Sequence, residues 1–174
     1  MQLFVEKEAL VPVKWDSLSK EQRKKVVRSH MFLREKYEDG SFVKIKARLV
    51  ADGCMQDRTV YSNHLLPTTK TKSIMTCLKL AARHNWDLLK LDVGGAFLCA
   101  TMDESEEVFM VLDKQLSQMC GNWIPGASEY LRYDGKLVVK VNKAMYGLIQ
   151  FTKLWYKELS GYLASKGFTI CKSD

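Results

Sequence analysis

Two segments with period-two patterning flank Glu38-Asp39-Gly40-Ser41, a turn signal that leaves a β-hairpin as the main local option. In the second segment Val43, Ile45, Ala47, Leu49 and Ala51 are apolar, while Lys44, Lys46 and Arg48 share the other face. In the first, Met31, Leu33 and Tyr37 match the apolar set, and Arg34 and Lys36 match the basic one. Facing residues of a hairpin share a side of the sheet, so its register can be tested. A two-residue Asp39-Gly40 loop pairs Lys36 with Val43 and puts charge against the core. An odd loop, pairing Tyr37 with Val43 and Leu33 with Ala47, keeps both faces consistent. The patterning therefore predicts a three-residue loop with Gly40 at positive φ. That register stacks Arg34, Lys36, Lys44, Lys46 and Arg48 on one exposed face. Like charges directly opposite one another destabilise a sheet. Either the cations splay into water, or the face is a platform whose repulsion phosphates relieve, and we favour the platform.

The charge distribution agrees with a phosphate-bearing partner. Residues 1–91 hold 18 of the 27 Lys and Arg but only 10 of the 20 Asp and Glu. All the excess positive charge of the chain therefore sits in this part. Such asymmetry points to nucleic acid, with a merely solvated basic face as the alternative. At 47% hydrophobic and 10% aromatic residues, the chain can bury a core. Its apolar runs are too short for a transmembrane helix, and the start MQLFVEKEAL carries acids where a signal peptide has bare positive charge. Cys54, Cys77, Cys99, Cys120 and Cys171 are scattered without a C-x-x-C pair, which predicts reduced, mostly buried thiols. The expectation is an intracellular chain, cytoplasmic or nuclear, not secreted and without membrane contact.

Further along, Ser17–Val27 reads as a short helix capped by Ser17 or Ser19. Thr71–His84 fits an amphipathic helix with Ile74, Leu78, Ala81 and Ala82 on one stripe and Asn85 as its end. Leu88–Val93 reads as a buried strand, with Leu89, Leu91 and Val93 pointing one way and Asp92 the other. Lys136–Val141 is a second strand. Phe151, Leu154, Trp155, Leu159, Tyr162 and Leu163 define a helix that Gly167 stops. The mixed order predicts an α+β fold, a sheet with helices on one side. Residues 1–27 form an N-terminal extension with the short helix, and residues 28–174 form the main unit. His30, His64 and His84 stand apart without a ligand-like partner. Asp103, Glu104, Glu106 and Glu107 read as a solvated turn rather than a metal site. The four tryptophans, Trp15, Trp86, Trp123 and Trp155, read as core and loop anchors.

An aspartate at the end of a strand often does no more than cap the next helix. Here Asp92 stands in Leu91-Asp92-Val93-Gly94-Gly95-Ala96-Phe97-Leu98, which closely resembles motif A of the reverse transcriptases of copia-type LTR retrotransposons. Lys46-Ala47-Arg48-Leu49-Val50-Ala51 resembles that family's K-A-R-L-V-A fingers strand, and Pro67-Thr68 precedes a helix as its S-P-x-x-x segment does. Lys143-Ala144-Met145-Tyr146-Gly147-Leu148-Ile149-Gln150 resembles its K-x-L-Y-G-L-K-Q, followed by Leu154-Trp155-Tyr156 and Ser165-Lys166-Gly167-Phe168. The resemblance runs from about Phe32 to Asp174.

What it implies is the fingers hairpin and part of the palm of a right-hand polymerase. Polymerases of this fold use two divalent ions, Mg²⁺ by its preference for oxygen ligands, to activate the primer hydroxyl and steady pyrophosphate. The resemblance gives Asp92 the role of catalytic metal ligand, joined by the backbone carbonyl of Val93. It makes Phe97, beside Ala96, the steric gate under the sugar, and sets Gln150 against the incoming nucleotide. It sends Lys46 and Arg48 to the triphosphate, and Arg34, Lys36, Lys44 and Lys153 to nucleic acid. The implied partners are an RNA template, an RNA–DNA hybrid and a dNTP. The sequence also departs from the family. No Tyr-x-Asp-Asp, the motif of the other two catalytic carboxylates, occurs in it. Phe151-Thr152-Lys153 replaces A-P-R, Gly94-Gly95 replaces Lys-Thr, and Asp52 puts an acid beside the template track. One carboxylate in place of three implies that nucleotide transfer by this chain alone is undetectable, without the rest of the palm, the thumb and the RNase H domain. The alternatives are a nucleic-acid-binding remnant without catalysis and a decaying relic.

Overall fold

The computed structural model describes residues 4, 6–57, 68–103 and 106–170. Of the residues discussed above, His64, Pro67, Glu104 and Cys171 lie outside them. The chain is a mixed α/β structure built on a five-stranded sheet in the order β1-β5-β4-β2-β3. Strand β1 spans Leu10–Val13, β2 Val27–Glu38, β3 Ser41–Ala51, β4 Phe109–Val111 and β5 Val138–Val141. All neighbours are antiparallel except β2 and β4, which run parallel through Val27 and Arg28. Edge strand β1 tolerates Pro12, which lacks an amide donor. The helices are α1 (Lys20–Lys24), α2 (Thr71–His84), α3 (Lys114–Trp123) and α4 (Phe151–Ser165).

Period-two alternation divides the buried residues between the two sheet faces. Leu10, Met110, Val139 and Val141 enter the main core with Leu112, Leu116, Cys120, Leu137, Met145 and Leu148. Phe109 and Val138 face the opposite side, where Leu18, Val13, Trp15 and Val26 cover them. Helices therefore do not keep to one side. Helix α3 supplies Leu116 and Cys120 to the main core, and the segment that begins with Trp15 closes the other face. Helix α1 is shorter than predicted because Val27 already pairs with Met110 in the sheet. Ser19 is its cap, accepting from the Gln22 amide while the Gln22 side chain accepts from Ser19, a capping box. Helix α3 carries an apolar stripe, Leu116, Met119, Cys120 and Trp123, that the sequence reading did not pick out. Asp113 caps it, and the buried Ser117 hydroxyl ties it to the Leu137 amide at 2.8 Å.

The hairpin has the predicted shaft and a different tip. Leu33 faces Ala47, Arg34 faces Lys46 and Lys36 faces Lys44, as the patterning requires. The loop, however, has two residues, because Tyr37 pairs with Phe42 and Glu38 with Ser41. Asp39 and Gly40 both take positive φ, 49° and 78°, which is the demand of a tight primed turn. A register shift between Lys36 and Tyr37 leaves Val43 as the extra residue of a bulge, and the bulge does what an odd loop was needed to do. The apolar face of the shaft is not core: Leu33 and Ile45 are 68% and 58% exposed. The hairpin projects from the sheet, and burial begins only at Leu49 and Ala51.

Two more expectations fail on burial. Residues 86–93 form no strand, and Leu89 and Leu91 are 83% and 79% exposed. Helix α2 has the predicted limits, with Asn85 left-handed at its end, yet only Ala81 of its stripe is buried. In both places the patterning is that of a half-buried element, but no described residue covers the apolar side. The cysteines divide as well. Cys54, Cys77 and Cys99 are exposed and Cys120 alone of the described four is buried. Helix α4 ends as predicted, with Gly167 at φ 84° and the Phe168 amide bonded to the Leu163 carbonyl.

Candidate functional site

Strand β3 lies at the edge of the sheet, so its residues 46–49 are open to a neighbour on the free side. That neighbour is the turn after residue 91. Lys46, Ala47, Arg48 and Leu49 line one wall of a cleft of about 460 Å³, and Asp92, Val93, Gly94, Gly95 and Ala96 line another. Ala144, Met145 and Tyr146 form its floor. Three stretches far apart in sequence thus meet, and they are three of the motif blocks picked out above.

Local chemistry explains the turn. Gly95 takes φ 62°, and its carbonyl accepts from the Leu98 amide at 2.9 Å, opening the short helical turn Ala96–Cys99. Leu98 is buried and α4 packs against this turn, which anchors the Asp92 loop. A threonine at position 95 would be strained by its β-branch at positive φ. A side chain at Gly94 would meet nothing within 4 Å.

Asp92, Arg34, Lys44, Lys46 and Arg48 are exposed, and their side chains make no ion pair or hydrogen bond among the described residues. Their charges are therefore available to a ligand. At the hairpin tip the charge is partly compensated. Lys36 donates to Glu38, and this bond, helped by the charges of Lys36 and Lys44, holds the Glu38 carboxyl below the usual carboxylate range. The Tyr37 hydroxyl donates to Glu35 at 2.7 Å, which raises the tyrosine pKa. Of these cations Lys46 and Arg48 line the cleft, whereas Lys44 shares in the compensation at the tip. Asp52, the acid beside the supposed template track, lies 3.7 Å from the His30 imidazole.

Gln150 is not in the cleft lining. It is 5% exposed, and its Oε1 accepts from the Gln56 Nε2 at 3.1 Å. Gln56 Oε1 accepts from the Ile149 amide at 2.9 Å. The Ala51 amide donates to the Tyr146 carbonyl at 2.8 Å, and a Cβ on Gly147 would overlap the Ala51 carbonyl oxygen. Gly53 likewise packs directly on the Gly147 carbonyl. Sequence reasoning missed Gln56 and Gly53, and the contact of Gly147 with the end of β3, because nothing in their spacing announces a contact across ninety residues. Lys153 is exposed on α4, and the Phe97 side chain lies outside the described part of the chain.

Among the described residues, no three His, Cys, Asp or Glu side chains converge as a metal-binding group. Asp92 is the one described carboxylate in the cleft lining. That donor set does not by itself fit two hard cations, which share several carboxylate oxygens. In the acidic turn, Glu107 accepts from Lys140 at 2.7 Å and from Gln22 at 3.0 Å, a structural link rather than a ligand set. The Lys140 bond is the largest influence on Glu107 and holds its carboxyl below the usual range.

Comparison with known proteins adds the family. Residues 13–173 match the model of the reverse transcriptase (RNA-dependent DNA polymerase) family, and the chain belongs to it. Within that family its likeness is to the Pol polyproteins of copia-type retrotransposons. It is 37% identical over 145 residues to the retrovirus-related Pol polyprotein from transposon RE2 of Arabidopsis thaliana, covering 83% of this chain. It is 31% identical over 145 residues to that from transposon TNT 1-94 of Nicotiana tabacum, again over 83% of this chain. The transposon Ty1-DR4 Gag-Pol polyprotein of Saccharomyces cerevisiae is 29% identical over 154 residues, or 86% of this chain. The chain spans only 9%, 10% and 8% of these three relatives. No solved structure gives a significant match. No helix among the described residues is long and apolar enough to cross a membrane.

Proposed function

We propose that residues 28–174 supply the fingers and part of the palm of a copia-type RNA-directed DNA polymerase, with residues 1–27 as an extension before them. One observation carries this reading: Lys46 and Arg48, whose side chains have no ion pair among the described residues, share a cleft with Asp92. In it Lys46 and Arg48 hold the triphosphate of a dNTP. Asp92 and the Val93 carbonyl supply oxygen ligands toward Mg²⁺. Ala96 and Phe97 lie under the sugar, and Gln150 is set against the base pair being formed. The hairpin cations Arg34, Lys36 and Lys44, with Lys153 on α4, follow the backbone of an RNA template or RNA–DNA hybrid. Divalent metal, when bound in the complete polymerase, lowers the barrier to attack by the primer hydroxyl. With Asp92 as the one described carboxylate of its lining, the cleft supports binding of nucleotide and hybrid. Scattered reduced cysteines support an intracellular setting, cytoplasmic or nuclear.

The test is equilibrium binding of an RNA–DNA hybrid and of a fluorescent dNTP analogue across a salt series. Affinity for the hybrid should fall linearly on a log–log plot against salt. Lys44→Ala, Lys46→Ala and Arg48→Ala should each reduce the slope by about one phosphate contact. Binding that is absent, or indifferent to salt, overturns the proposal.

A further inference from the structure

Gln56 lies outside every motif discussed above, yet its side chain joins two of them. The donor at Ile149 is a backbone amide, so only the oxygen of the Gln56 carboxamide can accept from it. The Gln56 nitrogen must then point at Gln150, and the Gln150 carboxamide must turn its oxygen toward that nitrogen. The Ile149 N–H thereby fixes the sense of the Gln56 carboxamide, which in turn offers its own N–H to the Gln150 oxygen. Around it, the Ala51–Tyr146 hydrogen bond and the Gly53–Gly147 contact fasten the end of β3 to the 146–150 turn. The cleft wall Lys46–Leu49 and the floor Ala144–Tyr146 both run directly into this fastening.

We infer that Gln56 is a positioning residue for the nucleotide cleft: it sets the orientation of the Gln150 carboxamide and holds the Ile149–Gln150 turn against the end of β3. The inference rests on the reading of this cleft as a nucleotide site. It does not require Gln56 to touch nucleotide, and Gln56 does not line the cleft.

Two variants separate its parts. Gln56→Met keeps the length and removes both hydrogen bonds. Gln56→Glu keeps the acceptor for Ile149 but puts a second acceptor against Gln150, whose carboxamide must turn over to donate. The readouts are binding of the fluorescent dNTP analogue across a salt series, amide exchange at Ile149 and the side-chain NH₂ resonances of Gln150. Gln56→Met should weaken dNTP binding about tenfold, the equivalent of one net hydrogen bond. It should do so at an unchanged salt slope, because no phosphate contact is lost, and the Ile149 amide should exchange faster. Gln56→Glu should keep Ile149 protected and shift the Gln150 resonances. It should weaken dNTP binding as much as Gln56→Met.

If Gln56→Met fails to fold, the glutamate variant alone decides: wild-type Gln150 resonances and wild-type affinity overturn the inference. Full affinity in Gln56→Met, beside weakened binding in Lys46→Ala, overturns the inference and leaves the proposed function standing. A wild-type chain that binds no dNTP overturns the proposed function and the nucleotide part of the inference together. In that case unchanged Ile149 exchange in Gln56→Met also removes the fastening.

Discussion

Gly147 has φ 92° and no room for a Cβ, since the Ala51 carbonyl occupies the space. Gly147→Ala therefore meets both backbone strain and a backbone clash, and should cost about 1–3 kcal/mol or more in chemical denaturation. Gly94→Ala, at a glycine of the cleft lining, meets nothing within 4 Å of the added Cβ and should stay within about 0.5 kcal/mol of wild type. Burial pushes the Cys120 thiol up to about 11, whereas Cys54, Cys77 and Cys99 are exposed. A thiol reagent at pH 8 should label those three in the native chain and reach Cys120 only on unfolding. Titration of the native chain by mass spectrometry checks it. Glu107 makes a pH prediction whose sign follows from its lowered pKa. Its link to Lys140 and Gln22 is complete above the ordinary carboxylate pKa and is lost as pH falls through the lower folded value. The stability gap between wild type and Glu107→Gln should therefore be largest near neutrality and close below the carboxylate range. A constant gap down to acid pH would refute the assignment.

The hairpin is the element on which sequence reasoning was most nearly right. Cross-strand patterning fixed the shaft register because a one-residue slip exchanges Lys46 for Ala47 against Leu33. It misjudged the tip because a bulge and an odd loop have the same effect on parity, and side-chain pattern records only parity. Deleting Val43 should regularise the ladder and leave the Leu33–Ala47 pairing intact, read as cross-strand NOEs. Gly40→Val puts a β-branched residue at φ 78° and should abolish the ordered tip in the same spectra. Helices α2 and α4 were legible for a simpler reason, since 3.6-residue periodicity and a stop at Asn85 or Gly167 are local properties. Helix α3 was overlooked although Leu116, Met119, Cys120 and Trp123 stand at helical spacing, because Gly121 and Asn122 weaken its propensity, and Asp113, Ser117 and contact with the core secure it.

Across the whole molecule, the candidate cleft lies at the margin of the buried mass, with Leu49 and Met145 common to both. The core lies around β4, β5 and α3, while the hairpin shaft, α2 and residues 86–93 present apolar side chains to solvent. Leu112→Ala, at a fully buried position, should cost about 2–5 kcal/mol. Leu89→Ser and Leu91→Ser should change stability by no more than about 0.5 kcal/mol while reducing binding of a hydrophobic dye. A large loss of stability in the serine variants would show that this segment is packed in solution. The amino-acid sequence by itself determined the family, the register of the hairpin shaft and the cationic face, and singled out Asp92 by its motif, because these rest on local pattern and on motif spacing. Only the tertiary structure decided that Lys46 and Arg48 meet Asp92 in one cleft and that Gln56 reaches Gln150. It alone decided that the strand-like segment 86–93 goes unpaired. Such outcomes depend on which distant segments approach one another and which apolar faces find a cover, and neither is written in the periodicity of any single stretch.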